Sequence, residues 1–181
     1  MTFYSRKGDD GTTGWLGKGR LSKTDPRIEA VGTLDEASAS LGAARAAAGD
    51  RRTAAVLLEA QRDLYQLMAE AAASPKNAQQ FHFEAGRVKW LEQQIRTLGA
   101  ETATPGEFIV PGDSTAGAAL AVARAVVRRA ERRVVELFRK KRIINPALQE
   151  YLNRLSSLLF VLELLENKAA GQTTTTARTE E

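Results

Sequence analysis

Arg124, Arg128 and Glu131 recur at spacings of four and three residues, with Arg132 next to them. On an α-helix with about 3.6 residues per turn, that spacing stacks them on one strip, with Arg132 at its edge. A row of guanidinium groups suits a polyphosphate, because arginine can grip phosphate oxygens with a two-pronged fork. The plain alternative is a solvated basic face with an internal Arg128–Glu131 pair. A second candidate is the N-terminal stretch Tyr4-Ser5-Arg6-Lys7-Gly8-Asp9-Asp10-Gly11-Thr12-Thr13-Gly14. Closely spaced glycines let backbone N–H groups turn toward an anion, and the hydroxyls and cations add donors. The pattern is not that of a P-loop and no βαβ unit surrounds it. A flexible arm is therefore the competing reading. Lys23 follows at a distance that could return it to the same ligand.

Two further segments carry weaker signals. In Tyr151-Leu152-Asn153-Arg154-Leu155-Ser156-Ser157-Leu158-Leu159-Phe160 the run is apolar almost all round. It predicts a central helix in which Asn153 and Ser156 are buried polar groups needing partners, from another helix or from a ligand. In Phe108 through Ser114 an aromatic residue precedes a Pro-Gly turn and a helix N-terminus. That arrangement can shape an apolar pocket beside an anion-attracting helix end, or simply place Phe108 in the core.

The elements that must position these residues follow from periodicity and punctuation. Residues 1–25 form a loop rich in Gly, Thr, Lys and Asp, and loops of that length in a compact domain tend to be functional or disordered. Asp25-Pro26 is a helix cap and first residue, opening a helix to about Ala48 that Gly49-Asp50 ends. Further helices are predicted over about Thr53–Ala73, Glu84–Leu98, Ser114 or Thr115 to Lys141, and Asn145-Pro146 to Lys168. On the fourth, Val126, Val127, Ala130, Val134 and Leu137 form the core-facing arc. Five helices with short links and almost no strand signal give an all-α bundle, with one domain over 1–168. The tail 169–181, with its threonine run, has nothing apolar to bury and is expected to be disordered.

Composition removes whole classes of chemistry. There are no cysteines, and His82 is the single histidine among 181 residues, so thiol catalysis, cysteine-held metals and His-based triads are excluded or improbable. A net charge of +4 fits an anionic partner without choosing among nucleic acid, phosphate ligand and membrane surface. No apolar run reaches the ~20 residues of a membrane span, and the polar start is not a secretory signal, so the expected location is the cytoplasm.

Taken together, YSRKGDDGTT, KTDPRIEAVGTLDE, FIVPGDS, RRAERRVVEL and YLNRLSSLLFVL resemble, in order and spacing, the PduO-type family of ATP:cob(I)alamin adenosyltransferases. The resemblance implies a five-helix bundle assembled as a homotrimer, with active sites between subunits. Its implied reaction moves the 5′-deoxyadenosyl group of ATP to the cobalt of cob(I)alamin. Ser5, Arg6, Lys7, Gly8 and Thr13 would line the nucleotide, and Lys23 would reach its phosphates. Arg128, Glu131 and Arg132, with Asn153 alongside, would hold the triphosphate. Mg2+ would be held mainly by the ATP phosphates, with no protein ligand assigned. Arg124 matches an arginine that pairs with an aspartate across the subunit boundary, and Asp35 is the matching acid. Phe108 matches the aromatic residue that keeps the lower corrin face free of a ligand. A reductase and an adenosylcobalamin-dependent enzyme are the implied partners; neither membrane nor nucleic acid is. The chain departs from the family pattern at Ala37-Ser38-Ala39, at Asp113, at Ala121 and at Ser157, mostly on the corrinoid side. Two other readings stay open: a non-catalytic ATP- or corrinoid-binding protein on the same bundle, and a basic helical bundle that binds nucleic acid.

Overall fold

The computed structural model describes residues 4–178. Its helices are α1 (Pro26–Ala47), α2 (Arg51–Ala72), α3 (Gly86–Gly99), α4 (Thr115–Arg139) and α5 (Ala147–Ala169). The starts are written in the sequence. Asp25 Oδ1 accepts the Arg27 N–H at 2.8 Å with Pro26 behind it, and Ser114 Oγ accepts the Gly117 N–H at 2.9 Å. Asp50 caps α2 by accepting the Arg52 N–H at 2.7 Å. Each such cap contributes about 1 kcal/mol. No described helix is long and apolar enough to cross a membrane.

α1 packs on α2 and α4, α4 on α5, and α5 on α3. α1 and α4 run antiparallel, pinned by Arg129 to Glu36 and Arg133 to Glu29 (3.4 Å), with Arg142 just past α4 paired to the α1 cap Asp25 (2.6 Å). Both helices bury alanines completely, Ala30, Ala37 and Ala44 on α1 and Ala123 and Ala130 on α4. The rest of the core is leucine-rich, with Leu34, Leu64, Leu120, Leu155 and Leu159 wholly buried. Each contributes about 1.5–3 kcal/mol by leaving water.

Buried polar groups staple this core. Asp63 accepts both Arg87 nitrogens (2.7 and 2.8 Å) and the Tyr151 hydroxyl (2.7 Å). Burial and the neighbouring Asp63 carboxylate raise the Tyr151 phenol well above its ordinary value, so it stays a proton donor. Arg27 is 4% exposed and donates to the carbonyls of Ala71, Ala73 (2.8 Å) and Arg142 (2.9 Å). It thereby ties the end of α2 to the turn after α4.

Two expectations need correction. The N-terminal loop contains a short antiparallel ribbon, β1 (Thr12–Thr13) against β2 (Leu21–Ser22). The tail expected to be disordered instead doubles back. Gly171 turns it with a φ of 71°, and Ile109 then bridges Thr176. Its bonds are backbone and carboxylate contacts, which an apolar pattern does not reveal. The last three residues of that tail lie outside the described residues.

Candidate active site

The buried arc of α4 (Ala123, Val126, Val127, Ala130, Val134, Leu137) matches the predicted one and turns Arg128 and Arg132 outward. Those two, with Glu131, Val135, Arg139 and Asn153, line an open recess of about 500 Å³. The arginines of α4 divide sharply. Arg129 and Arg133 are paired with α1, whereas among the described residues Arg128 and Arg132 take no ion pair or side-chain hydrogen bond. The internal Arg128–Glu131 pair is not made. Glu131 instead accepts from Asn153 Nδ2 at 3.1 Å, and Asn153 Oδ1 accepts from Arg154 at 2.7 Å. Asn153 is exposed, not buried as its apolar neighbours suggest; it shares an outward strip with Ser157, one turn away. Ser156 is buried and donates to the Asn153 carbonyl at 2.8 Å. Arg139 belongs to the recess and went unread in the sequence, although it lies two turns beyond Arg132 on the same strip.

The N-terminal arm is a folded loop. Arg6 sits at a φ of 59°, Gly11 at 78°, and Gly11 N–H donates to the Gly8 carbonyl at 3.2 Å. Asp10 accepts the Thr12 N–H (2.9 Å) and hydroxyl (2.7 Å), while Arg20 donates to the Lys7 carbonyl (2.6 Å) and to Thr12. Ser5 Oγ accepts the Lys7 N–H at 3.4 Å, and the Thr13 hydroxyl donates to the Gly14 carbonyl. Lys23 does return to the loop: a methyl group on Gly8 would stand 3.3 Å from Lys23 Nζ. The loop is moored at the end of α2. Leu16 exchanges backbone bonds with Ala72 (3.2 Å) and Ser74 (2.9 Å), and the Arg27 guanidinium lies 5.5 Å from the Trp15 ring. Arg20 and Arg27, which order this loop, were not singled out in the sequence. Among the described residues no hydrogen bond or ion pair joins 4–24 to Arg128, Glu131, Arg132 or Asn153. Within one chain the two halves of the expected nucleotide site are therefore not bonded to each other among the described residues.

The third cluster surrounds Phe108, whose ring is 88% exposed rather than packed in the core. With Ile109, Arg124, Phe160, Ala177 and Arg178 it lines a cleft of about 560 Å³. The Arg124 guanidinium lies 5.8 Å from the Phe160 ring, and its buried Nε has no partner. Asp35 is exposed and makes no ion pair among the described residues, so the expected Asp35–Arg124 pair is not formed within one chain. Ala121 is buried and Ser157 is exposed, its hydroxyl weakly donating to the Asn153 carbonyl at 3.4 Å. Among the described residues no group of three or more His, Cys, Asp or Glu side chains gathers to hold a metal ion.

Glu163, one turn along α5 from Phe160, is fully buried, and neither carboxylate oxygen has a hydrogen-bond partner. Desolvation raises its pKa above the ordinary 4.5, Arg124 offsets part of this, and Asp113 adds to it. The folded state therefore binds this proton where the unfolded chain has released it. Stability falls as pH rises from about 4.5 through the folded value. Glu163→Gln is expected to stabilise the protein at pH 8, because the neutral amide avoids the cost of holding a desolvated carboxylate or its proton there. In thermal unfolding the gap between the two proteins should close as pH drops toward 4.5. A variant no more stable than the parent at pH 8 would count against an uncompensated Glu163.

A family model described as cobalamin adenosyltransferase matches residues 3–166. The corrinoid adenosyltransferase PduO of Salmonella typhimurium is 37% identical over 174 residues, which is 95% of this chain and 52% of that protein. The chain thus spans about half the length of the PduO relatives it matches. The corrinoid adenosyltransferase of Bacillus subtilis is 35% identical over 94% of this chain and 89% of its own. Among solved structures, a variant PduO-type ATP:corrinoid adenosyltransferase from Lactobacillus reuteri complexed with cobalamin and ATP superposes with a TM-score of 0.91. It is 30% identical and covers 98% of this chain and 100% of its own. A second variant from that organism, complexed with ATP, gives 0.87 at 30% identity, covering 97% of this chain and 100% of its own.

Proposed function

This chain belongs to the cobalamin adenosyltransferase family, and from that premise we propose that it transfers the 5′-deoxyadenosyl group of ATP to the cobalt of cob(I)alamin or a related corrinoid. The observation that carries the reading is the pair of free guanidinium groups, Arg128 and Arg132, set in a recess beside a Glu131 held by Asn153. In the reaction the cobalt(I) lone pair forms the Co–C5′ bond as the C5′–O bond breaks. Cobalt becomes formally Co(III), and the bonding electrons leave on triphosphate. The substrate is itself the nucleophile, so a chain with no cysteine and one histidine suffices. What the protein must supply is alignment of two bound reactants and stabilisation of charge on the departing oxygens.

Arg128 and Arg132 take the triphosphate, with Glu131 and Asn153 fixing the recess. Ser5, Arg6, Lys7, Gly8, Thr13 and Lys23 cradle the nucleotide. Magnesium arrives on the phosphates, because a recess lined by three arginines and one carboxylate suits an anion rather than a bare cation. Phe108 stands against the lower corrin face. We assign a homotrimer on two features: the arm and the recess are not joined within one chain, and Asp35 and Arg124 each lack their expected partner there. Asp35 of a neighbouring copy meets Arg124, and the neighbour's arm closes the recess. The protein works in the cytoplasm, where a reductase supplies cobalt(I).

Purified protein given ATP, magnesium and chemically reduced cobalamin without oxygen is expected to form a light-sensitive adenosyl–cobalt product. Binding of ATP without that product would leave a non-catalytic binder. Binding of DNA or RNA in place of both ligands would leave the nucleic-acid reading.

A further inference from the structure

We propose that Asp113 is a positioning residue: it latches the C-terminal strap across the Phe108 cleft and thereby sets how the corrinoid is held. This rests on reading that cleft as the corrinoid side. Beyond Gly171 the chain runs back along residues 108–110. Val110 N–H donates to the Thr175 carbonyl at 2.9 Å, and Ala177 N–H donates to the Phe108 carbonyl at 2.7 Å. Asp113 completes the grip by accepting the Thr175 N–H at 3.1 Å and its hydroxyl at 2.6 Å. Every polar backbone and side-chain group of Thr175 is therefore engaged. The strap carries Ala177 and Arg178 into the wall of the cleft, opposite Arg124 and Phe160.

The consequence falls on Phe108. Its ring is almost wholly exposed, so no core packing fixes it, and its backbone is held by the strap it pairs with. Strap residues 175–178 are themselves exposed, so the strap can leave without opening the core. The Thr175 donors hold the Asp113 carboxyl below its ordinary range. Asp113 thus acts on the reaction through the strap and does not itself touch the reacting atoms.

The test uses the full chain and its Asp113→Ala and Thr175→Val variants. Steady-state turnover is measured with reduced cobalamin and with ATP, and hydrogen exchange is followed at the Val110 and Ala177 amides. Both variants should raise KM for cob(I)alamin roughly tenfold, with KM for ATP within about twofold. Exchange at both amides should accelerate. Turnover in the parent with an unmoved corrinoid KM in the variants would overturn the proposal alone, as would corrinoid and ATP constants shifting together. A parent chain that makes no adenosyl–cobalt product would instead remove the functional reading and this inference with it.

Discussion

Arg128→Ala is expected to lower kcat/KM about 10²–10³-fold, the loss typical of removing one preorganised donor to a developing negative charge. Fold stability should move by no more than about 0.5 kcal/mol. The separation of the two effects follows from its setting. Arg128 is exposed, on the outer strip of α4, and no ion pair or side-chain hydrogen bond among the described residues depends on it. Alanine is also the best helix former. The same change at Arg129, one position on, would instead break its pair with Glu36 and leave the recess intact. Arg128→Lys should fall between parent and alanine, because an ammonium keeps the charge and loses the two-pronged fork. Single-turnover formation of adenosylcobalamin, with helical content followed by circular dichroism, decides it. Turnover within a few-fold of the parent would remove Arg128 from the triphosphate.

Arg27→Ala is expected to cost about 3 kcal/mol of stability or more, because each of the three carbonyls it leaves unpaired costs about 1–3 kcal/mol. Desolvation lowers the Arg27 pKa, which shows the cost of burying it; the carbonyls of Ala71, Ala73 and Arg142 offset that cost. Truncation strands all three carbonyls and removes the guanidinium from the Trp15 ring. Denaturant unfolding should show the loss. In the fraction that remains folded, KM for ATP should rise more than KM for the corrinoid if the N-terminal arm, which Trp15 and Leu16 moor, takes the nucleotide as proposed. Arg27→Lys should restore little, because one ammonium cannot reach carbonyls on two separate elements. A loss under about 1 kcal/mol would show that the arm and the end of α2 are held by other contacts.

The helices were legible because their signals are local. Asp25-Pro26 and Ser114 announce starts through hydrogen bonds that span only two or three residues. The α4 arc could be read from periodicity, since a helix fixes which residues share a face before anything packs against it. The outward strip of α5 is hard to see in the sequence because Asn153 and Ser157 make only a narrow polar line among leucines. Their spacing of four was the available signal that this line faces outward.

The sequence by itself determined the five helices, the outward face of α4 that carries Arg128 and Arg132, and the glycine-bearing arm, and five ordered motifs pointed to the family. Tertiary structure alone decided which of four neighbouring α4 arginines are spent on α1 and which stay free. It also decided that Arg27 is buried, that Glu163 is stranded, and that the tail pairs with 108–110. The physical reason is range. Helix caps and helical faces are set within a few residues, whereas a charged side chain's partner is set by the register between segments far apart in the chain. A composition of threonines and arginines carries no record of that register.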